Sequence, residues 1–262
     1  MITLESLIEE AKKEDLPIDK KRAILREYLQ VLILNTIYKS KVGNKMYFMG
    51  GTALRYFYKL PRFSEDLDFN AKRLSSREYD NLLDIISKYL KNEGFKINIE
   101  RKDIYDIYSA RIGFKSVMKD FNLVDTKGED IVIKLETNNP TWQIKYEPLV
   151  LSYLGILATV LVMDRGSLFA EKSHAFIHRC RGRDVYDVIY LLRFKFPIDK
   201  RMFIAKKIKG DPKEALLNKF MSLKESEIEG LSKQVRPFLF KEEEVEFVRK
   251  ASFYGPQLLS GY

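Results

Sequence analysis

Cysteine and histidine are scarce in this chain. Its 262 residues include one cysteine, Cys180, and two histidines, His174 and His178. A single cysteine excludes a disulfide within the chain and suits a reducing cytoplasm. The two histidines have the i, i+4 spacing of metal ligands, but no His-Glu-x-x-His pattern and no third ligand accompany them. The sequence therefore does not favour a zinc or iron–sulfur centre.

Long apolar segments are also missing. The longest, residues 149–163, contains Ser152, Gly155 and Thr159 and is shorter than the ~20 residues that a membrane-spanning helix needs. We interpret this segment as buried core. The N-terminal residues show no basic region followed by an apolar one, so the sequence predicts no secretion signal. Together these absences predict a cytoplasmic protein without a membrane partner.

Apolar residues and positive charge, by contrast, are plentiful. Hydrophobic residues make up 45% of the chain and aromatic residues 13%, which is typical of a folded globular protein. The net charge is +9, and most of the positive excess lies in residues 141–262. A basic surface attracts polyanions. The positive charge has two equally good explanations: the protein binds nucleic acid, or it is one of many mildly basic cytoplasmic proteins.

The most informative stretch is residues 50–69, where a glycine pair precedes two aspartates. On a strand, Asp66 and Asp68 would point to the same face and Leu67 into a core. Adjacent carboxylates repel each other unless a cation lies between them. Mg²⁺ prefers oxygen ligands and binds through one or two carboxylates plus substrate phosphates. The pair therefore predicts a Mg²⁺ site, although an isolated Asp-x-Asp more often lies on a solvated surface.

The glycine pair, Gly50 and Gly51, supplies the other half of the pattern. Without a Cβ, glycine lets the backbone approach a phosphate closely, and a helix beginning at Thr52 would direct free N–H groups towards it. A glycine pair alone is usually a turn. The ordered combination of glycine turn, short helix and Asp-x-Asp strand is the layout of a metal-dependent nucleotidyl-transfer site.

The spacing of apolar residues, with the positions of glycine, proline and capping residues, predicts an α+β half followed by a mainly helical half. The first half has predicted helices over 18–40 and 52–59, a third helix that begins at a Ser75 or Ser76 cap and ends before Gly94, and predicted strands over 45–49, 65–70, 95–99, 107–114 and 131–136. The last two strands are predicted to form a hairpin through the loop Lys119–Asp130, with residues 127–129 near its end. The second half has predicted helices over 167–180, 183–194, 199–209, 212–222, 225–236 and 241–253.

Two domains follow from this pattern. Residues 1–145 are predicted to form an α+β domain with N-terminal helices. Residues 146–262 are predicted to form a mainly helical, basic domain that completes the active-site cleft.

Three further residues could carry chemistry. Glu136 ends a predicted strand and is either a third carboxylate of the site or a solvated strand end. Lys172 either extends along an apolar surface or projects into a cleft to meet a triphosphate. Asp184 either caps a helix or joins Arg183 and Asp187 in a polar network.

The ordered motifs resemble a known family. Gly-Gly-Thr-Ala-Leu-Arg (50–55), Arg-Phe-Ser-Glu-Asp-Leu-Asp-Phe (62–69), Ile-Lys-Leu-Glu (133–136), Ala-Glu-Lys (170–172) and Arg-Asp-Val-Tyr-Asp (183–187) are similar to motifs of the AbiEii/AbiGii toxin nucleotidyltransferases. These belong to the DNA polymerase beta-like nucleotidyltransferase superfamily. The resemblance covers residues 50–188 and implies a mixed sheet with flanking helices, followed by a mainly helical half.

The resemblance also implies a function. Members are toxins of bacterial abortive-infection toxin–antitoxin systems that act in phage defence, take a nucleoside triphosphate (NTP) and Mg²⁺, and are encoded with an antitoxin. Some transfer nucleotides to the 3′ acceptor end of tRNA and so block translation.

Residue roles follow by position. Asp66 and Asp68 would bind the metal, and Lys172 and Asp184 would be needed for activity. Gly50, Gly51 and Arg55 would hold phosphates, and Ser64 belongs to the nucleotide-binding stretch. Much of the superfamily has Gly-Ser where this chain has Gly50-Gly51, so the hydroxyl role passes to Thr52 or Ser64 or is absent.

Two other functions remain open from the sequence. The acceptor could be a protein hydroxyl in place of RNA. The protein could instead be a non-catalytic, basic nucleic-acid-binding module whose aspartate pair is structural.

Overall fold

Seven strands among the described residues form one mixed sheet, in the order β3-β4-β5-β2-β1-β7-β6. The computed structural model describes residues 2–105, 107–124 and 130–262. The strands are β1 (Met46–Met49), β2 (Leu67–Ala71), β3 (Ile97–Arg101), β4 (Ile107–Phe114), β5 (Ile131–Asn138), β6 (Tyr146–Tyr153) and β7 (Ile156–Met163). β2 runs parallel to β5, and β1 runs parallel to β7, whereas the pairs β1–β2, β3–β4 and β4–β5 are antiparallel. The α+β class and the β4–β5 hairpin are confirmed; residues 127–129 of its loop lie outside the described residues.

The chain divides into two compact units. Unit 1 comprises Met1–Tyr58 and Phe63–Val162, and unit 2 comprises Lys59–Arg62 and Met163–Tyr262. Unit 1 therefore extends past residue 145, where the sequence predicted a boundary, because β6 and β7 belong to its sheet.

The helices of unit 1 are α1 (Leu4–Lys13), α2 (Lys21–Lys39), α3 (Gly50–Tyr58), α4 (Ser76–Asn92) and the short α5 (Val117–Asp120). A capping box closes the start of α4, where the Ser75 hydroxyl accepts from the Glu78 N–H and Glu78 accepts from the Ser75 N–H. Such a cap contributes about 1 kcal/mol. Gly94 follows the helix with φ of 93°, the left-handed conformation that glycine adopts at a helix end.

The two faces of the central strands differ in chemistry. Leu67, Phe69 and Leu135 are fully buried on one face, each burial contributing about 1.5–3 kcal/mol. The alternation along β5 is strict, so Glu136 points to the opposite face and is partly exposed. Helix α4 packs on this face: the buried Tyr79 donates its hydroxyl to the Leu135 carbonyl at 2.9 Å and its ring stacks on Tyr108 of β4.

The segment 149–163 is a hairpin with one buried face, so the expectation of buried core holds for part of it only: its buried residues are Leu151, Tyr153, Leu154, Val160, Val162 and Met163. Buried and exposed residues alternate along β6 and β7, and Val150 and Leu157 are 67% and 70% exposed. Leu154 and Gly155 join the strands with φ of 47° and 77°, the two positive values of a type I′ turn. An apolar run at the edge of a sheet has the same composition as a core strand, so composition could not distinguish them.

Unit 2 is helical after the end of β7. Its helices are α6 (Arg165–His178), α7 (Gly182–Arg193), α8 (Lys200–Ala205), α9 (Pro212–Met221), α10 (Glu225–Val235), α11 (Glu246–Arg249) and α12 (Ala251–Ser260). The single helix predicted over 241–253 is wrong: a 3₁₀ turn (Glu242–Val245), α11 and α12 replace it. The one over 199–209 is too long, because α8 ends at Ala205. None of the helices in the described ranges is long and apolar enough to cross a membrane.

Candidate active site

Asp66 and Asp68 lie where β2 begins. Asp66 immediately precedes the strand and Asp68 is its second residue, and both are partly exposed on either side of the buried Leu67. The strand begins at Leu67, two residues later than predicted. In the parallel β2–β5 register, Asp68 is the partner of Glu136, so the two carboxylates occupy adjacent positions on one face of the sheet.

The Asp68 carboxylate packs against the glycine turn. A Cβ placed on Gly50 would lie 2.3 Å from Asp68 Oδ2, far inside van der Waals contact, and Gly50 has φ of 80°. Glycine is therefore required here both for space and for backbone conformation. Helix α3 begins at Gly50, two residues earlier than the predicted start at Thr52, so a helix N-terminus and a carboxylate meet at this point.

Side chains that donate to backbone carbonyls fix the loop before β2. The buried Thr52 hydroxyl donates to the Asp66 carbonyl at 2.5 Å. Gln30, fully buried in α2, donates to the Ser64 carbonyl at 3.1 Å and accepts from the Tyr56 hydroxyl at 2.8 Å. Thr52 is thus committed to positioning Asp66. Sequence reasoning missed Gln30, whose only signal is a polar residue in an otherwise apolar helical stretch.

Arg55 lies in a buried network. Its guanidinium is 3.2 Å from Glu27 Oε1 and donates to the Tyr153 hydroxyl at 2.7 Å, and Tyr153 donates to Glu27. Burial raises the pKa of Glu27, and the charge of Arg55 opposes that shift. Because Arg55 is 5% exposed, a direct contact with a phosphate would require it to leave these partners. Arg55 thus joins Glu27 and Tyr153 in a buried network that the sequence did not predict. That Arg55 binds a phosphate stays a prediction.

Glu136 has a cationic neighbour in its own strand. Lys134 Nζ lies 2.7 Å from Glu136 Oε1, and the two side chains are 36% and 23% exposed. Glu136 is therefore neither buried nor fully solvated. Its position beside Asp68 is the one that a third carboxylate of the site would need.

The carboxylates of the candidate site suit a metal ion that is bound together with a nucleotide. Within the described ranges, no three carboxylate, imidazole or thiol groups are close enough to enclose a metal ion by themselves. Mg²⁺ usually takes only one or two carboxylates and completes its coordination with water and phosphate oxygens. Asp66 and Asp68 supply such hard oxygen donors beside a helix N-terminus, so the residues present fit Mg²⁺ held jointly with a triphosphate.

A second polar cluster lies in unit 2 around Asp187. This fully buried carboxylate accepts from Arg62 at 2.6 and 2.7 Å and lies 2.7 Å from Lys172 Nζ. Burial alone would raise the pKa of Asp187, but the charges of Arg62 and Lys172 outweigh it and lower the pKa to about 2. Asp187 is therefore ionised in the folded protein, and its carboxylate holds the Lys172 amine in place.

Asp184 has different partners. It accepts from Arg179 at 3.0 Å and 2.5 Å and from the backbone N–H of Arg181 at 2.9 Å, near the start of α7. The structure therefore bears out the helix-cap interpretation of Asp184. The sequence left a helix cap and a network with Arg183 and Asp187 open for Asp184, because spacing along a helix cannot identify partners from outside it.

The chain matches the family model described as the nucleotidyl transferase AbiEii toxin of a type IV toxin–antitoxin system, over residues 32–252. The chain belongs to the AbiEii family. Solved structures are similar to it, two of them with the following identity and coverage. JHP933 from Helicobacter pylori has 17% identity and a TM-score of 0.56, with 92% of this chain and 93% of that chain covered. MenT4, a nucleotidyltransferase toxin from Mycobacterium tuberculosis, has 16% identity and a TM-score of 0.55, with 98% and 90% covered.

No curated protein matches the chain. At such low identities the two structures show the fold alone, and the family model carries the assignment. AbiEii membership makes this chain a nucleotidyltransferase of a toxin–antitoxin system, with a nucleotide substrate and an antitoxin partner. The family and the fold predicted from the sequence are confirmed.

Proposed function

We propose that this AbiEii protein transfers a nucleotide from an NTP to RNA, at the 3′ acceptor end of tRNA, and thereby blocks translation. The RNA 3′ hydroxyl would attack the α-phosphorus of the NTP: a phosphodiester bond forms, the bond from that phosphorus to pyrophosphate breaks, and the hydroxyl proton passes to solvent. The observation that carries the proposal is the close approach of Asp68 to Gly50, since the carboxylate that would bind the metal lies against the backbone that would bind phosphate.

Asp66 and Asp68 would hold Mg²⁺, which when bound neutralises the triphosphate and assists the attacking and leaving oxygens. Gly50 and Gly51 would bind phosphate oxygens through backbone N–H groups. Thr52 would hold Asp66 at its position. Catalysis would depend on positioning and charge neutralisation more than on covalent chemistry.

Glu136, Lys172 and Asp184 are proposed to support activity, the last two from the family resemblance alone. Glu136 would orient the attacking hydroxyl from its place beside Asp68. Lys172 would meet the triphosphate, with Asp187 as a positioning residue that fixes its amine. Ser64 would contribute to the nucleotide-binding stretch, although it is 8% exposed and its carbonyl is already bonded to Gln30.

The biological setting is part of the proposal. The protein would act in the cytoplasm during phage defence and be neutralised by an antitoxin encoded beside it. Its net charge of +9 would favour the polyanionic acceptor.

The test is a transfer assay with total tRNA, Mg²⁺ and each labelled NTP in turn. Label in tRNA that Asp66→Ala and Asp68→Ala abolish would support the proposal. Asp84→Ala is the matched control, because Asp84 is an exposed aspartate on α4, which covers the opposite face of the sheet. We expect all three variants to keep the wild-type melting temperature, since the altered carboxylates are not in the core.

Two outcomes would contradict the proposal. Label on protein and never on RNA would identify a protein hydroxyl as the acceptor. Nucleic-acid binding without any Mg²⁺-dependent nucleotide binding by calorimetry would indicate a non-catalytic binding module.

A further inference from the structure

Two cations face each other across neighbouring strands of the sheet. In the β4–β5 register, Arg111 is the direct partner of Lys134. Like charges in directly opposite positions are destabilising. A sheet that keeps such a pair on its surface gains stability when an anion binds between the two cations.

This pair lies on the face that carries the candidate site. Lys134 and Glu136 are two residues apart on β5 and therefore point to the same side. Glu136 is in turn the register partner of Asp68 on β2 and of Ser109 on β4. Arg111, two residues after Ser109, completes a surface of Asp68, Glu136, Lys134 and Arg111.

The neighbouring charges do not satisfy Arg111. Lys134 has Glu136 at 2.7 Å. Arg111 is exposed and forms no ion pair with any residue in the described part of the chain, although Glu100 on β3 is its other register partner. Arg111 therefore presents a guanidinium to solvent, the group best suited to a phosphate.

We propose that Arg111, with Lys134 beside it, binds a backbone phosphate of the acceptor strand next to the reacting 3′ end. This inference rests on the proposed function and adds the part of the surface that receives the acceptor. Charge complementarity with the phosphodiester backbone makes a nucleic-acid strand the fitting occupant.

The donor triphosphate is a poorer match for Arg111. The glycine turn follows β1, whereas Arg111 lies on β4, and the sheet order places β2 and β5 between those strands. Three strand spacings amount to about 14 Å. A donor held at Gly50 and Asp68 lies on one side of Glu136, and Arg111 lies on the other.

The experiment compares Arg111→Gln with Arg77→Gln in the full-length protein. Arg77 is an exposed arginine on α4, on the opposite side of the sheet, and its variant makes the same change in charge. The readouts are the KM for tRNA and for the NTP in the transfer assay, and the Kd of fluorescein-labelled bulk tRNA without nucleotide. Arg111→Lys tests rescue by a retained charge.

We expect Arg111→Gln to raise the KM and Kd for tRNA on the order of fivefold and to reduce the slope of log Kd against log salt by about 0.7–0.9. The KM for the NTP should stay unchanged, Arg77→Gln should match wild type, and Arg111→Lys should recover most of the loss. Melting temperatures confirm that each variant is folded.

Three results would overturn the inference, and they are distinguishable. If wild type labels tRNA and Arg111→Gln behaves like Arg77→Gln, this surface does not bind the acceptor and the proposed function stands. If the KM for the NTP rises and that for tRNA does not, Arg111 contacts the donor. If wild type neither labels nor binds tRNA, the proposed function fails and this inference fails with it.

Discussion

At the scale of single residues, the site depends on one glycine. Gly50 has to adopt a positive φ, and it has to leave space for the Asp68 carboxylate. Gly51 and Thr52 lie in the first turn of α3, and the Thr52 hydroxyl anchors the backbone of Asp66, the other carboxylate of the pair. The acidic pair is therefore positioned by the residues that would bind the phosphates.

Replacing Gly50 by alanine should damage both stability and activity. The left-handed backbone costs an L-residue about 1–2 kcal/mol, and the new Cβ would displace the Asp68 carboxylate. We expect a lower free energy of unfolding in urea and a loss of transfer activity on the order of a hundredfold, because misplacement by about 1 Å has such an effect.

Gly230→Ala is the control for that substitution. Gly230 lies in α10, and no atom lies within 4 Å of the position that a Cβ would take there, so alanine should stabilise the helix by about 0.5–1 kcal/mol. Wild-type activity in Gly50→Ala would show that the Asp68 carboxylate need not lie against the turn.

At the scale of elements, unit 2 is organised around a buried charge. Asp187 on α7 holds Lys172 of α6 and Arg62, a residue 125 positions earlier in the chain. Removing one partner of such a group leaves an uncompensated buried charge and costs about 3–5 kcal/mol. The cluster therefore serves the fold as well as the position of Lys172.

The pKa of Asp187 predicts how stability depends on pH. Its folded-state pKa is about 2, below its ordinary value of 3.8, so its contribution is present above about pH 4. That contribution, about 2 kcal/mol, is lost as pH falls from about 4 through 2. Urea unfolding between pH 2 and 6 should show this decline in wild type and a smaller one in Asp187→Asn.

All carboxylates contribute to acid unfolding. The role of Asp187 is therefore tested by comparing how steeply the free energy of unfolding changes with pH in wild type and in Asp187→Asn. Equal slopes in wild type and Asp187→Asn would mean that Asp187 is not held ionised by Arg62 and Lys172.

At the scale of the whole molecule, charge is the dominant property. The net charge of +9 and the pI near 9.3 give a field that attracts polyanions. Such binding is accompanied by release of counterions from the phosphate backbone and weakens with salt. The same charge does not by itself select an acceptor sequence, which base contacts and shape must supply.

The salt concentration should therefore affect the KM for tRNA and the KM for the NTP differently. Between about 50 and 200 mM salt, we expect the KM for tRNA to rise at least about tenfold, because several phosphate contacts are lost together. The KM for the NTP, at constant free Mg²⁺, should change much less. A tRNA affinity that is independent of salt would argue against an electrostatic acceptor surface.

Local rules determined much of this protein from the sequence alone. The alternation of Ile131, Ile133 and Leu135 with Lys134 and Glu136 fixed the faces of β5, because side chains of a strand alternate whatever surrounds them. The helix end at Gly94 is equally local and helped to predict the class. The order of Gly-Gly and Asp-x-Asp is local as well, and together with the other motifs it sufficed to predict the family.

Only the tertiary structure decided which charges meet. Arg55 is buried with Glu27 and Tyr153, and Asp187 holds both Lys172 and Arg62, since each contact depends on residues far away in the chain. The β6–β7 hairpin was missed for a related reason: burial depends on what covers a strand. Pairing and burial are properties of the packed molecule, whereas periodicity and capping belong to the segment itself.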